Sequence, residues 1–190
     1  VALRAIVVGI PGVGKTTVVQ GVVSGFQGAR LVNFGTVMLE AAHSLKWVKN
    51  RDEMRKMTVE KQKRIQKLAA AKIAKMGGKA ILVDTHLFIR TEEGFWPGLP
   101  FEVVRAMKPT HLILVEATPE EIVKRREADA SRYRDAITKE DLAEELELAR
   151  SFMTVASTLT GAPMFIVRNE QGKNEQVARR LVRMLEGAKK

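Results

Sequence analysis

The chain has 190 residues, enough for one domain with a full core, and 45% of them are hydrophobic against 28% charged. It has no cysteine, which excludes disulfides and thiolate metal sites, and its three histidines (His43, His86, His111) show no metal-ligand spacing. The net charge of +10 fits either a nucleic-acid partner or ligands rich in phosphate, and lysine and arginine are spread along the chain with acids interleaved, which reads first as solvated helix faces.

The first element is an apolar, β-branched run, Leu3–Gly9, read as a strand. It leads into Gly9-Ile10-Pro11-Gly12-Val13-Gly14-Lys15-Thr16, a complete G-x-x-x-x-G-K-[ST] between a strand and a helix, with Thr17 next. Small residues let successive backbone N–H groups curl around an anion, and the helix N-terminus adds its dipole. A plain glycine-rich turn would explain the glycines but not a lysine and threonine together at the helix start. In this reading Lys15 reaches the β- and γ-phosphates of a nucleoside triphosphate and Thr16 offers its hydroxyl to Mg²⁺.

A second strand is expected at Arg30–Phe34, followed by "NFGTVMLEAAHS" as the entrance for the phosphoryl acceptor. "KNRDEMRKM" comes next, and its Arg51 and Arg55 could hold a phosphate. From Thr58 a helix is predicted with Ile65, Leu68, Ala69, Ile73 and Met76 on its apolar face and Gly77-Gly78 as the stop. The third strand, Ala80–Asp84, ends in a carboxylate suited to orienting Mg²⁺.

His111–Glu116 is the fourth strand. After it, "KRREADASRYRD" gathers Arg125, Arg126, Arg132 and Arg134, and "DASRYRD" reads as a break between helices. Guanidinium forks there suit a loop that closes over a transferring phosphoryl group and excludes water. Thr138 and Asp141 form a capping-box pattern for a helix whose apolar stripe is Leu142, Leu146, Ala149, Met153 and Ala156. Arg150 sits at the edge of that stripe, where either a bound phosphate or an internal carboxylate could partner it. Pro163–Arg168 is the fifth strand, and a last helix runs from about Lys173 to Glu186.

Four of the five strand runs are almost continuously apolar, as strands buried on both faces of a parallel sheet are. Strands alternating with helices predict one three-layer α/β domain over residues 1–190, with right-handed crossovers and no linker. The longest apolar runs fall far short of the roughly 20 residues a membrane span needs. No basic-then-apolar pattern opens the chain, so the expected setting is cytoplasmic without a membrane partner.

The acceptor can be narrowed. No N-K-x-D guanine reader occurs, and Asp84 is not followed three residues later by glycine, which disfavours GTPase switches. A neutral hydroxyl acceptor wants a carboxylate base; the acceptor entrance has only Glu40, with Asp84 the alternative base. An acceptor that is already a phosphate needs arginines instead, and a small phosphoryl-transfer kinase is the economical reading.

At this point the chain resembles the archaeal-type adenylate kinases over nearly its whole length. The resemblance rests on "GIPGVGKTT", "VNFGTVM", "RDEMRKM", "EKQKRIQKLAA", "VDTH", "GFWPGLP" and the arginines of "SRYRD". It implies a P-loop kinase fold with a five-stranded parallel sheet, helices on both faces and a short arginine-bearing lid, and a homotrimer. It also implies transfer of the γ-phosphate of ATP to AMP, giving two ADP, with Mg²⁺. By resemblance Gly9, Ile10, Pro11, Gly12, Val13, Gly14, Lys15, Thr16 and Thr17 bind ATP, and Thr16 and Asp84 serve the metal. Gly35, Thr36, Met38, Arg55, Arg90, Gly98 and Leu99, with Pro100, face AMP. Residues 35–78 form the AMP-binding region and 126–136 the lid. Lys15, Arg132, Arg134 and Arg150 act on the phosphates being transferred, with Arg126 beside them. Unlike bacterial and eukaryotic relatives, the chain has Asp84-Thr85-His86 in place of D-G-F-P-R, and Glu40 after Leu39 where an arginine often follows. Two rivals remain: a kinase for another nucleoside monophosphate (UMP, CMP or a deoxynucleotide), and a nucleic-acid-associated ATPase. The second rests on charge alone, since no nucleic-acid module or aromatic platform is recognisable.

Overall fold

The computed structural model describes residues 3–91, 94–128 and 138–187. In chain order the elements are β1 (Leu3–Val8), α1 (Lys15–Gly25), β2 (Ala29–Asn33), α2 (Phe34–Ser44), α3 (Arg51–Arg55), α4 (Val59–Ala74) and β3 (Ala80–Asp84). Then follow β4 (Phe88–Thr91), β5 (Gly94–Pro97), α5 (Phe101–Met107), β6 (His111–Glu116), α6 (Pro119–Ala128), α7 (Lys139–Thr160), β7 (Met164–Arg168) and α8 (Asn174–Gly187).

Five strands form one parallel sheet in the order β2-β3-β1-β6-β7, while β4 and β5 pair separately as an antiparallel hairpin. The β-branched runs of β1, β3 and β6 occupy the centre, and Leu3 to Val8 are buried throughout. Two sets of helices pack around the sheet, α1 with α8, and α5 with α4 and α7.

The expectation that four strands are buried on both faces is corrected at β7. It lies at the sheet edge, so Ile166 is 40% exposed; Leu31 on the opposite edge strand β2 is likewise 41% exposed. On α4 the buried face is Ile65, Ala69, Ala70 and Ile73, whereas Leu68, expected on that face, points out. The acceptor entrance is helical almost at once. The Asn33 side chain accepts from the Thr36 N–H and starts α2. The capping box of α7 is present as expected, with Thr138 and Asp141 bonded reciprocally.

Two apolar clusters hold the molecule. The main one spans the sheet and its helices; a smaller one joins Ala42, Val48, Met54 and Ile65, with Met38, Trp47 and Met57 against it. At the end of the sheet away from the glycine loop, buried Arg4 donates from Nη1 to the carbonyls of Met107 and Lys108 and from Nη2 to that of Ala74. The guanidinium thus ties up the last carbonyls of α5 and α4, where the helix dipoles are negative.

Candidate active site

The carboxyl ends of the parallel strands converge on one edge. Val7 and Asn33 both register with Asp84, and Glu116 with Arg168. The glycine loop 9–14 leaves β1 there and enters α1. Gly12 (φ 99°) and Gly14 (φ 81°) are left-handed, and Gly14 caps α1 with no side-chain hydrogen bond, so the helix N-terminus is open to an anion. A Cβ on Gly14 would stand 2.4 Å from Asn169 Nδ2.

The loop's carbonyls are held from outside. Arg126 donates from Nε (3.0 Å) and Nη2 (2.6 Å) to the Pro11 carbonyl. Arg125 Nη1 (3.1 Å) and Asn169 Nδ2 (2.8 Å) donate to that of Val13. An anion cradle needs this polarity, carbonyls outward and N–H groups toward the ligand. Arg125 also donates to the Asn169 carbonyl (2.7 Å), clamping the segment after β7 to the loop.

Lys15 is buried, and its Nζ lies directly against Asp84 Oδ1. Burial lowers its pKa from 10.5 to about 8, while the adjacent carboxylate favours the cation. Thr16 and Thr17 are exposed at the start of α1. From Asp84 a polar line runs outward. Asn33 Nδ2 donates to Asp84 Oδ2 (3.2 Å), Thr36 donates to Asn33 Oδ1 from N (3.0 Å) and Oγ1 (3.2 Å), and Arg51 Nη2 donates to Thr36 Oγ1 (3.1 Å). Gly35 sits in this line; a Cβ there would meet Asn33 Oδ1 at 3.3 Å.

The structure separates the two arginines of "RDEMR". Arg51 reaches Thr36, whereas Arg55 points to solvent beside Asp52 at 3.4 Å. Met38 is partly buried between the two clusters. Arg90, on the hairpin, faces Asp141 and Glu145, both at 3.5 Å, and lies over the Phe95 ring. Glu145 is buried, which raises its pKa; Arg126 and Arg90 pull it back. Gly98 donates to the Leu87 carbonyl (2.8 Å) and passes so close to His86 that a Cβ would stand 2.5 Å from the His86 carbonyl oxygen. Leu99 is buried next to it.

Arg150 takes the carboxylate of its two alternatives. Nε and Nη2 both donate at 2.7 Å to the two oxygens of Glu116, a buried residue at the end of β6, and this raises the Arg150 pKa further. Arg126 is turned to the loop backbone. Arg132 and Arg134 lie outside the described residues, as does most of the 126–136 lid. Among the described residues no cluster of three or more His, Asp or Glu could cage a metal. Sequence reasoning missed Asn33 and Asn169. Each follows or ends a strand at the loop edge, and that position was the signal available.

A family model described as an AAA domain matches residues 8–143. In solved structures the fold is similar to shikimate kinase from Bacteroides thetaiotaomicron (TM-score 0.63, 13% identity, 97% of this chain and 98% of that one). Shikimate kinase from Acinetobacter baumannii is similar too (TM-score 0.60, 12% identity, 99% and 95%). Sequence relatives say more. The adenylate kinase of Methanoculleus marisnigri is 42% identical over 96% of this chain and 97% of its own. That of Methanopyrus kandleri is 41% identical over 92% and 93%, and that of Thermoplasma acidophilum 39% over 96% and 98%. Identity of this degree spans both the glycine loop and the acceptor side from end to end, and the chain belongs to the adenylate kinase family.

Proposed function

We propose that this phosphotransferase moves the γ-phosphoryl group of ATP directly to the phosphate of AMP, giving two ADP. The observation that carries this is the unbroken polar line Lys15–Asp84–Asn33–Thr36–Arg51, which joins a phosphate loop to a second, arginine-bearing entrance. One P–O bond of ATP breaks as an AMP phosphate oxygen forms the new one. That oxygen is already an anion, so no base is needed, and positioning and charge do the work.

In the free enzyme Lys15 neutralises Asp84. With ATP in the loop, Lys15 turns to the phosphate oxygens and Asp84 becomes available. Thr16 and Asp84 are the oxygen donors that would hold Mg²⁺, a cation that suits one or two protein oxygens, and the ion would supply charge neutralisation to the phosphoryl group in transfer. On the acceptor side Gly35, Thr36 and Arg51 face the AMP phosphate, with Arg90 held ready on the hairpin and Gly98-Leu99 bordering the base. Arg132, Arg134 and Arg150 act as the lid arginines the family resemblance implies, Arg150 exchanging Glu116 for phosphate. A homotrimer also follows from that resemblance, and light scattering in solution tests it.

The test is to incubate the protein with Mg²⁺ and ATP and offer AMP, UMP, CMP, GMP and their deoxy forms separately. ADP formed in two-to-one ratio to AMP consumed, with little transfer to the others, is the expected result. Transfer to another monophosphate replaces the acceptor; free phosphate without acceptor dependence replaces the reaction.

A further inference from the structure

Although lysine and arginine occur along the whole chain, the excess of positive over negative charge does not, which corrects the first reading of evenly interleaved charge. Residues 46–79 contain twelve lysines and arginines against three acids (Asp52, Glu53, Glu60), a net of +9 out of +10 for the chain. The remaining 156 residues are therefore close to neutral. Helix α4 carries much of this excess outward. Lys61, Lys63, Arg64 and Lys67 are exposed, and Lys63, Arg64 and Lys67 line a shallow depression with Glu60 and Leu68. None of the four makes an ion pair among the described residues, unlike Lys72, which pairs with Glu40. Lys61 and Arg64 lie over the Trp47 ring, each 5.4 Å from its centre, which fixes the base of the strip.

We propose that this face of α4 is a docking surface for the sugar-phosphate backbone of a nucleic acid. Sixteen helical residues extend about 24 Å, a length over which one nucleic-acid strand presents about seven phosphates. A mononucleotide substrate is too short to use such a strip. Insertion into an anionic membrane is disfavoured, because the apolar side of α4 (Ile65, Ala69, Ala70, Ile73) is spent in the core. The covered Trp47 ring offers no free stacking platform, so recognition runs through phosphate and is independent of sequence. Among the described residues no hydrogen bond joins Lys63, Arg64 or Lys67 to the polar line of Lys15, Asp84, Asn33, Thr36 and Arg51.

The experiment measures binding of the full chain to a fluorescent 30-nucleotide single-stranded RNA by anisotropy over a series of salt concentrations. It compares wild type with Lys63→Gln/Arg64→Gln/Lys67→Gln and with a charge-matched control on α8, Arg179→Gln/Arg180→Gln/Arg183→Gln. The α4 variant should lose about tenfold or more in affinity and its log–log salt slope should drop by about 2, at roughly 0.7 per phosphate contact. The α8 control should stay within about twofold of wild type in RNA affinity and should keep the wild-type phosphotransfer rate. Absence of RNA binding by wild type overturns the proposal, as does an equal loss in both variants, which would mean net charge alone. Binding to vesicles of one-third phosphatidylglycerol with none to RNA also overturns it, in favour of a membrane surface.

Discussion

Lys15 and Asp84 neutralise each other across the strand edge that carries the phosphate loop, and in the proposed reaction this pair opens so that Lys15 can reach ATP. Lys15→Met keeps the buried stem and removes the charge. It should lower kcat/KM by about 10²–10³-fold or more while circular dichroism and the cooperative melt persist. Normal turnover in this variant would remove Lys15 from the reaction.

The same pair sets a pH dependence. The free-enzyme ammonium, lowered by burial to about 8, loses its proton as pH rises through that value. kcat/KM for ATP should therefore fall above about pH 8. kcat should hold to higher pH, because bound phosphate stabilises the cation. For stability the sign is opposite. The cost of burying the charge is present in full below about 8 and is relieved as pH climbs toward the unfolded value of 10.5. Rate and melting curves recorded at the same pH values would show the two trends diverging above 8.

Asn169 is fully buried, donates Nδ2 to the Val13 carbonyl and leaves Oδ1 without a partner among the described residues. Asn169→Asp puts a carboxylate oxygen against that carbonyl. The change should cost about 1–3 kcal/mol of stability and raise the KM for ATP more than that for AMP, since only the loop is displaced. An equal rise in both constants would argue against a specific hold on the loop.

Removing Arg150 strands the buried Glu116 carboxylate. Because the Arg150 side chain is more than half exposed, the loss is expected at about 1–2 kcal/mol, below the range for fully buried pairs. Arg150→Met should be less stable than Arg150→Met/Glu116→Gln. Both should lose kcat if Arg150 also serves the transferring phosphate. Thermal melts and turnover of the two variants separate the structural role from the catalytic one.

Arg4 lies at the opposite end of the sheet, so Arg4→Met should leave kinetics alone and lower the melting temperature. Losing charged hydrogen bonds to helix carbonyls should cost about 2–3 kcal/mol, or several degrees for a chain of this size. A change in KM for either nucleotide would contradict that assignment.

Much of this was legible in the residues because local chemistry and tertiary structure agree. The loop Gly9–Thr16, the five strand runs and the Thr138–Asp141 capping box occupy the places their patterns imply. Edge and centre strands were not separable at β7, since apolar content does not reveal which strand lacks a neighbour. That Arg51 and not Arg55 reaches Thr36 was hidden because it depends on the turn into α3, where Asn50 caps the helix. Asn33 and Asn169 were missed for a different reason: a single asparagine carries no periodic signal, and its partners are distant in sequence. The pairing of Arg150 with Glu116 joins residues 34 apart, and spacing rules do not reach that far.

The small apolar cluster of Ala42, Val48, Met54 and Ile65 gives the acceptor side a core of its own, distinct from the one beneath the sheet. A segment packed in this way opens and closes as a unit, and amide hydrogens within it should exchange together and ahead of those in β1, β3 and β6. It is also where a new acceptor would be easiest to accommodate. Substitutions around Thr36, Arg51 and Met54 would draw on the stability of the small cluster, and the phosphate loop with its Arg125, Arg126 and Asn169 braces would be passed on unaltered.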